Sequence, residues 1–314
     1  MHKPMSNHPK YINPVSDFGF KFLFGSASNK ELLISLLNSI FRGRKIIRDL
    51  VFNKNEHVGD TDKIGGVVFD LSCTGENGEK FVIEVQRSSH VNFKRRMLYY
   101  GCKLISDQAP KGKRHAWNYA ISEVYVIVLL DSFSLNDAKS SGKWFHDICL
   151  CNRITGSVFY EDLGFIYIEL VNFTKDVDDL KEDLDKWLYV LKHLTSMDEQ
   201  PIYLDKPIFE KLFNIAEYSR LNMEEKEMHD ISLKRLWDAE AVRQYQEQRL
   251  EEAHQKGREA VAEAIERGLV QGIELALETK LDLLEMAGSM KKLGLSTDDI
   301  VKVTKLSISE VEAL

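Results

Sequence analysis

Residues 66 to 86 constrain the fold of this chain more than any other stretch. They read Gly-Val-Val-Phe-Asp-Leu-Ser-Cys-Thr-Gly-Glu-Asn-Gly-Glu-Lys-Phe-Val-Ile-Glu-Val-Gln. Two β-rich runs flank Gly75-Glu76-Asn77-Gly78, which predicts a hairpin. If the loop is Glu76-Asn77-Gly78, Gly78 takes the left-handed position of a three-residue turn with a bulge. That register sets Asp70 directly opposite Glu84. Period-2 alternation then puts Val68, Asp70, Glu84 and Gln86 on one face and Phe69, Leu71, Ile83 and Val85 on the other.

Two carboxylates among apolar strand residues need a reason. An ionised carboxylate away from water is expensive unless a cation or residual solvent meets it. A hard divalent ion held by two carboxylates, a carbonyl and water satisfies both groups. An ordinary half-exposed hairpin with Asp and Glu on its wet face is the other reading, and spacing alone leaves both open.

The rest of the chain supplies a globular frame. Its 314 residues suffice for one large domain or two smaller ones, and 44% hydrophobic with 29% charged residues describes a soluble protein. A net charge of −7 argues against coating nucleic acid through bulk charge but leaves room for a local basic groove. Cys73, Cys102, Cys149 and Cys151 form no CxxC pair, so reduced, structural cysteines are expected. Met1 to Lys10 is polar, without the apolar core of a signal peptide, and no run approaches the roughly 18 apolar residues of a membrane span. The expectation is a cytoplasmic protein with no membrane partner.

Taken in order, residues 1–10 read as disordered. Asp17 to Gly25 is aromatic and predicts a short helix or turn against the core. Asn29 is placed to cap a helix burying Leu32, Leu33, Leu36, Leu37 and Ile40, with Gly43 as its stop. Asp60 and Asp62 fall in an acidic turn or mark a second metal position; the turn is the favoured reading. After Gln86 a helix runs through Phe93, Met97, Tyr100 and Leu104, with Lys94, Arg95 and Arg96 on its polar face. Val124 to Leu130 is apolar on both sides, as a central strand requires. Further strands are expected near Ser157 to Tyr160 and Gly164 to Leu170, then a helix over Asp176 to Leu194.

Near Pro207 the composition shifts to Glu, Lys, Ala, Gln and Leu, and Met223 to Met286 predicts one or more long helices. Ser296 and Ser307 open capping-box-like starts of two short helices. The division is therefore 1–10 disordered, 11–205 an α/β domain, 206–290 a long helical region and 291–314 a helix-turn-helix-like tail. The long helices offer a surface for homo-oligomer formation.

Helix, strand, hairpin with Asp then Glu-x-Gln, helix and central strand follow one another in an order that resembles the PD-(D/E)XK nuclease superfamily. The nearer resemblance is to its transposase-associated, recombination-promoting (Rpn-type) branch. It is carried by Asp17-Phe-Gly-Phe-Lys21, Phe24-Gly25, Phe69-Asp70-Leu71 and Ile83-Glu84-Val85-Gln86. Phe93, Arg96, Tyr99-Tyr100, Gln108 to Gly112, Trp117 to Tyr119 and Val124-Tyr125 continue it. The resemblance implies a restriction-endonuclease-like αβββαβ core with a helical C-terminal extension. It implies a metal-dependent DNA endonuclease tied to recombination or mobile elements. Asp70 and Glu84 would ligate Mg²⁺ or Mn²⁺ with the Val85 carbonyl as a third ligand. Gln86 stands where many relatives have lysine; it can orient a water but cannot act as a base.

Arg96 has two readings, a phosphate contact or a tie between helix and hairpin. Lys111, Lys113 and Arg114 track a DNA backbone or form a solvated loop. Tyr99 and Tyr100 are expected to pack rather than stack on bases. His90 and His115 show no ligand spacing. Acidic net charge and Gln86 keep an alternative open, a catalytically silent nucleic-acid-binding or regulatory module on the same fold.

Overall fold

The computed structural model describes residues 9–54, 56–57, 67–88, 92–110, 117–135, 142–266 and 280–314. Asp60, Asp62, His90, Lys111, Lys113, Arg114 and His115, all weighed above, lie outside them. The chain folds as two compact units, Met1–Trp237 and Asp238–Leu314.

The first unit opens with α1 (Asp17–Phe24) and α2 (Lys30–Phe41). Ser16 caps α1 by accepting from the Gly19 N–H, and Phe18, Phe20, Leu23 and Phe24 are buried. In α2, Leu32, Leu33, Leu36, Leu37 and Ile40 form the expected buried face. Asn29 does not cap it through its side chain; the amide instead donates to Phe22 O. The stop comes from a left-handed Arg42 (φ 49°) followed by Gly43 (φ 81°).

Strands β1 (Leu50–Phe52), β2 (Glu56–His57), β3 (Val67–Val68), β4 (Leu71–Gly75) and β5 (Lys80–Gln86) follow. Then come α3 (Phe93–Ser106), β6 (Val124–Leu130), β7 (Phe145–Cys151) and β8 (Val158–Glu169). β2 and β3 pair with each other, and the other six strands form one sheet in the order β1-β4-β5-β6-β8-β7. β4 is antiparallel to β1 and β5, β6 is parallel to β5 and β8, and β7 closes the far edge antiparallel to β8. The helices α4 (Asp183–His193) and α5 (Pro207–Ala216) complete the layer begun by α1 and α2.

β6 shows why the sheet is a two-sided core. Tyr125, Ile127 and Leu129 belong to the apolar cluster with α1, α2, α4 and α5, whereas Val124, Val126, Val128 and Leu130 belong to the cluster with α3. All seven residues of β6 are buried, as the run predicted. The two strands expected near 157–160 and 164–170 are one continuous strand; its pairing with β7 shifts register between Tyr160 and Phe165, where Leu163 and Gly164 pair with Val124 and Tyr125 of β6. β7 itself was not anticipated: His146, Asp147, Cys149 and Cys151 interrupt any apolar alternation. The helix expected from Asp176 starts later, at Asp183, after a 3₁₀ turn at Val177–Asp179.

Of the four free cysteines only Cys73 is buried, so the structural reading does not extend to the exposed Cys102 and Cys151. Beyond the composition break at Pro207, α5 buries Phe209, Leu212, Phe213 and Ala216 in the main core. The N-terminal segment locks onto it, with Ile12 N–H donating to Ala216 O at 2.9 Å and Tyr218 N–H to Lys10 O at 2.9 Å.

A long helix, α6 (Met223–Glu266), begins in the first unit. In the second unit α7 (Lys280–Lys292), α8 (Thr297–Thr304) and α9 (Ile308–Glu312) enclose Ala287, Ile300, Leu306 and Val311. Ser296 and Ser307 cap α8 and α9 as their spacing predicts. Among the described residues no helix is long and apolar enough to cross a membrane.

Candidate active site

The hairpin forms in the register that the sequence implies. Leu71 pairs with Ile83 and Cys73 with Phe81, so the next position outward sets Asp70 against Glu84. Gly78 takes φ 90°, a region open to glycine at little steric penalty. The alternation differs at one residue. Leu71 joins the cluster with α1 and α2, but Phe69 joins the α3 cluster, edge-on to Tyr100 at 5.0 Å. The chain bends at Asp70, between the end of β3 and the start of β4, and the bend carries Phe69 to the other face.

That bend brings the two carboxylates together. Asp70 N–H donates to Glu84 Oε1 at 3.1 Å, and Val85 N–H donates to Asp70 Oδ2 at 2.9 Å. Val82 lies in the α3 cluster, so alternation turns Glu84 and Gln86 toward α3 as well. Glu84 is only 3% exposed, while Asp70 remains half-buried. Burial, together with the neighbouring Asp70 charge, raises the Glu84 carboxyl to about 8. Burial raises Asp70 too, against the pull of the Val85 N–H and Lys21. Two like charges in one desolvated spot favour whatever cation or proton relieves them.

Gln86 links the pair to α3. Its Nε2 donates to Glu84 Oε2 at 3.0 Å, and its Oε1 accepts from the Arg96 guanidinium. That bond ties helix to hairpin, and on its own helix Arg96 lies 6.0 Å from the Tyr100 ring centroid. Its Nε is buried and has no hydrogen-bond partner among the described residues. Tyr100 packs inside as expected, whereas Tyr99 is 46% exposed and does not.

From the opposite layer α1 contributes Lys21, whose Nζ is 3.9 Å from Asp70 Oδ1 and 2.6 Å from Asp17 Oδ1. α1 reaches this point through a close approach at its end. A Cβ on Gly25 would stand 2.8 Å from Leu71 Cδ2 and 2.5 Å from Lys21 O, so only glycine fits there. Sequence reasoning assigned Asp17 and Lys21 no chemistry. The available signal was two opposite charges at i, i+4 on an otherwise aromatic helix, the spacing that places them on one face.

The donors suit a hard divalent cation. Each carboxylate oxygen accepting one hydrogen bond keeps a second lone pair. Gln86 O accepts from Asp131 N–H on the β6 side, and Val85 N–H points to Asp70, so the Val85 carbonyl is directed away from β6 and toward Asp70. Among the described residues no three His, Cys, Asp or Glu side chains cluster for a metal, so two carboxylates and a backbone carbonyl are what this site offers. Mg²⁺ keeps several waters and is commonly held by one or two carboxylates. A cavity of about 340 Å³ lies elsewhere, lined by Leu98, His146, Ile148 and Phe165 but by none of Asp70, Glu84 or Gln86.

Comparison with known protein families gives a match. Residues 14–246 fit the family described as PD-(D/E)XK nuclease family transposase, a span that contains Lys21, Asp70, Glu84, Gln86 and Arg96. No curated protein and no solved structure matches the chain.

Proposed function

This chain belongs to the PD-(D/E)XK nuclease family transposases, and on that premise we propose that it is a metal-dependent DNA endonuclease acting at Asp70 and Glu84. The observation that carries the reading is the carboxylate pair, cross-bonded through Asp70 N–H and Val85 N–H in a desolvated spot. Helix α2, strands β1, β4 and β5, helix α3 and strand β6 supply the αβββαβ core in this reading.

Asp70, Glu84 and the Val85 carbonyl are the groups that would hold Mg²⁺ or Mn²⁺. When bound, the ion supplies Lewis-acid activation of water and charge neutralisation at the scissile phosphate. Glu84 is fixed by the Asp70 N–H on one oxygen and Gln86 on the other, so its geometry is set before the ion arrives. Gln86 is in turn fixed by Arg96. It is a positioning residue for Glu84, and the second N–H of its amide stays available to a water. Lys111, Lys113 and Arg114, in a basic loop outside the described residues, are offered to the DNA backbone together with Arg96. The word transposase in the family description supports associating the cut with mobile elements or recombination.

A second reading is favoured by the neutral, doubly bonded Gln86: a nucleic-acid-binding module that has lost catalysis. Supercoiled plasmid incubated with the full chain in Mg²⁺, Mn²⁺ or EDTA separates the two. Nicking in metal but not in EDTA supports the nuclease. DNA binding without nicking under any metal supports the silent module.

A further inference from the structure

A phosphodiester brought to Asp70 and Glu84 carries negative charge into a site already holding two carboxylates. Gln86 brings no charge, and both ends of its amide are engaged. Arg96 is directed at Gln86 Oε1 and packs near Tyr100. On the other side of the pair, α1 brings the Lys21 charge to 3.9 Å from Asp70 Oδ1.

We infer that the Lys21 ammonium is a substrate-contacting cation of this site, taking a non-bridging phosphate oxygen of the strand cut at Asp70 and Glu84. The inference deepens the nuclease reading above and rests on it. Lys21 stands 3.9 Å from Asp70 Oδ1, beyond hydrogen-bond length, and on the oxygen that the Val85 N–H does not use. It donates to Asp17 Oδ1, which leaves two of its three N–H groups for a ligand. Its side chain is 40% exposed, so a nucleic acid strand can reach it.

An ordinary surface pair would need no fixed backbone. This one has it: Phe20, Leu23 and Phe24 are fully buried on either side of Lys21, and Gly25 seats the helix end on Leu71, the residue after Asp70. The stem is thus anchored where the ammonium overlooks the outer oxygen of Asp70. A compact point charge suits a phosphate oxygen, and stabilisation of phosphoryl transfer is chiefly positional and electrostatic. Asp17 holds the ammonium from the solvent side, one helical turn back, and keeps it from collapsing onto Asp70.

The test compares the full chain with Lys21→Ala and Lys21→Arg, each first shown to unfold thermally like the unsubstituted protein. Affinity for a short DNA duplex is measured in EDTA across a salt series, and single-turnover cleavage in Mg²⁺. The expected result for Lys21→Ala is a salt slope shallower by about 0.9, the loss of one phosphate contact. Cleavage should fall by roughly 10²-fold or more, the size expected for removing one preorganised charge donor. Lys21→Arg should keep the slope. An unchanged salt slope in Lys21→Ala overturns the inference, whether or not cleavage slows, because the residue then acts through Asp70 alone. If the unsubstituted chain binds DNA without cutting and Lys21→Ala still loses the slope, the contact stands and the nuclease reading falls. A chain that neither binds nor cuts overturns both.

Discussion

The backbone N–H of Asp70 donates to Glu84 Oε1 at 3.1 Å, across a hairpin whose ladder ends one residue earlier. Where the next rung would lie, backbone-to-side-chain bonds replace backbone-to-backbone ones. The open end of the β4–β5 ladder is thereby turned into a two-carboxylate site, and the same bonds that shape the site hold the hairpin mouth closed.

Removing one carboxylate should therefore separate activity from folding. Asp70→Ala leaves the Val85 N–H without its acceptor, a loss of about 1–3 kcal/mol, but also removes one of two repelling charges. Chemical denaturation should show a folded protein within roughly 2 kcal/mol of the unsubstituted chain, while metal-dependent stabilisation disappears. A variant still stabilised by Mn²⁺ to the original extent would move the metal elsewhere.

The metal-free protein should lose stability as pH rises. Glu84 titrates near 4.5 when unfolded and at about 8 when folded, so between those values the folded state binds more protons than the unfolded one. Stability then falls as pH increases, and the contribution of Glu84 is fully present below about 4.5 and gone above about 8. Asp70, raised in the same direction, adds to the trend. Thermal melts in EDTA from pH 5 to 8.5 should show this decline, and Glu84→Gln should flatten it. Mn²⁺ affinity should climb over the same range, because the ion displaces a proton. A Glu84→Gln profile parallel to that of the unsubstituted chain would remove Glu84 as the source.

Gln86→Lys should not raise activity. Lysine at this position would lose the acceptor that Arg96 uses and set an ammonium against the guanidinium. The expected outcome is a less stable protein with slower cleavage than Gln86→Ala, checked by melting and single-turnover rates. Gln86→Ala should slow cleavage by roughly 10–100-fold, the usual effect of losing a residue that orients a ligand. Faster cleavage by Gln86→Lys would show that the site accepts charge on β5.

A chain ending after Trp237 should fold, whereas one ending after Asp205 should not. The shorter chain lacks Phe209, Leu212 and Phe213, all buried in the main core. Each contributes on the order of 1.5–3 kcal/mol, together comparable with the 5–15 kcal/mol stability of a whole domain. Sharp, cooperative unfolding of the 1–237 chain and its absence in 1–205 would be seen by circular dichroism. A cooperative 1–205 fragment would place the folding boundary at the composition break instead.

Much of the site was legible because its determinants are local. Turn chemistry at Gly78 and period-2 alternation were enough to oppose Asp70 to Glu84, and the all-apolar run at Val124 to Leu130 marked the central strand. Phe69 was misassigned because a bend at Asp70 has no signature in an alternating pattern. β7 was missed because an edge strand facing solvent tolerates His146, Asp147 and Cys149, which read as loop. A helix-to-hairpin tie was one of the two readings left open for Arg96, but its partner Gln86 and the place of Lys21 depend on how α1 and α3 dock on opposite faces of the sheet. Spacing within either segment carries no information about that docking.

The central claim is that Asp70 and Glu84 hold a divalent ion that cuts DNA. Single-turnover nicking of supercoiled plasmid in Mg²⁺, by the unsubstituted chain and by Glu84→Gln, tests it most directly. Glu84→Gln preserves shape and its acceptor for the Asp70 N–H while removing the charge. The account predicts nicking that requires the metal and falls by at least about 100-fold in the variant. Equal nicking by both proteins, or nicking that persists in EDTA, would contradict it.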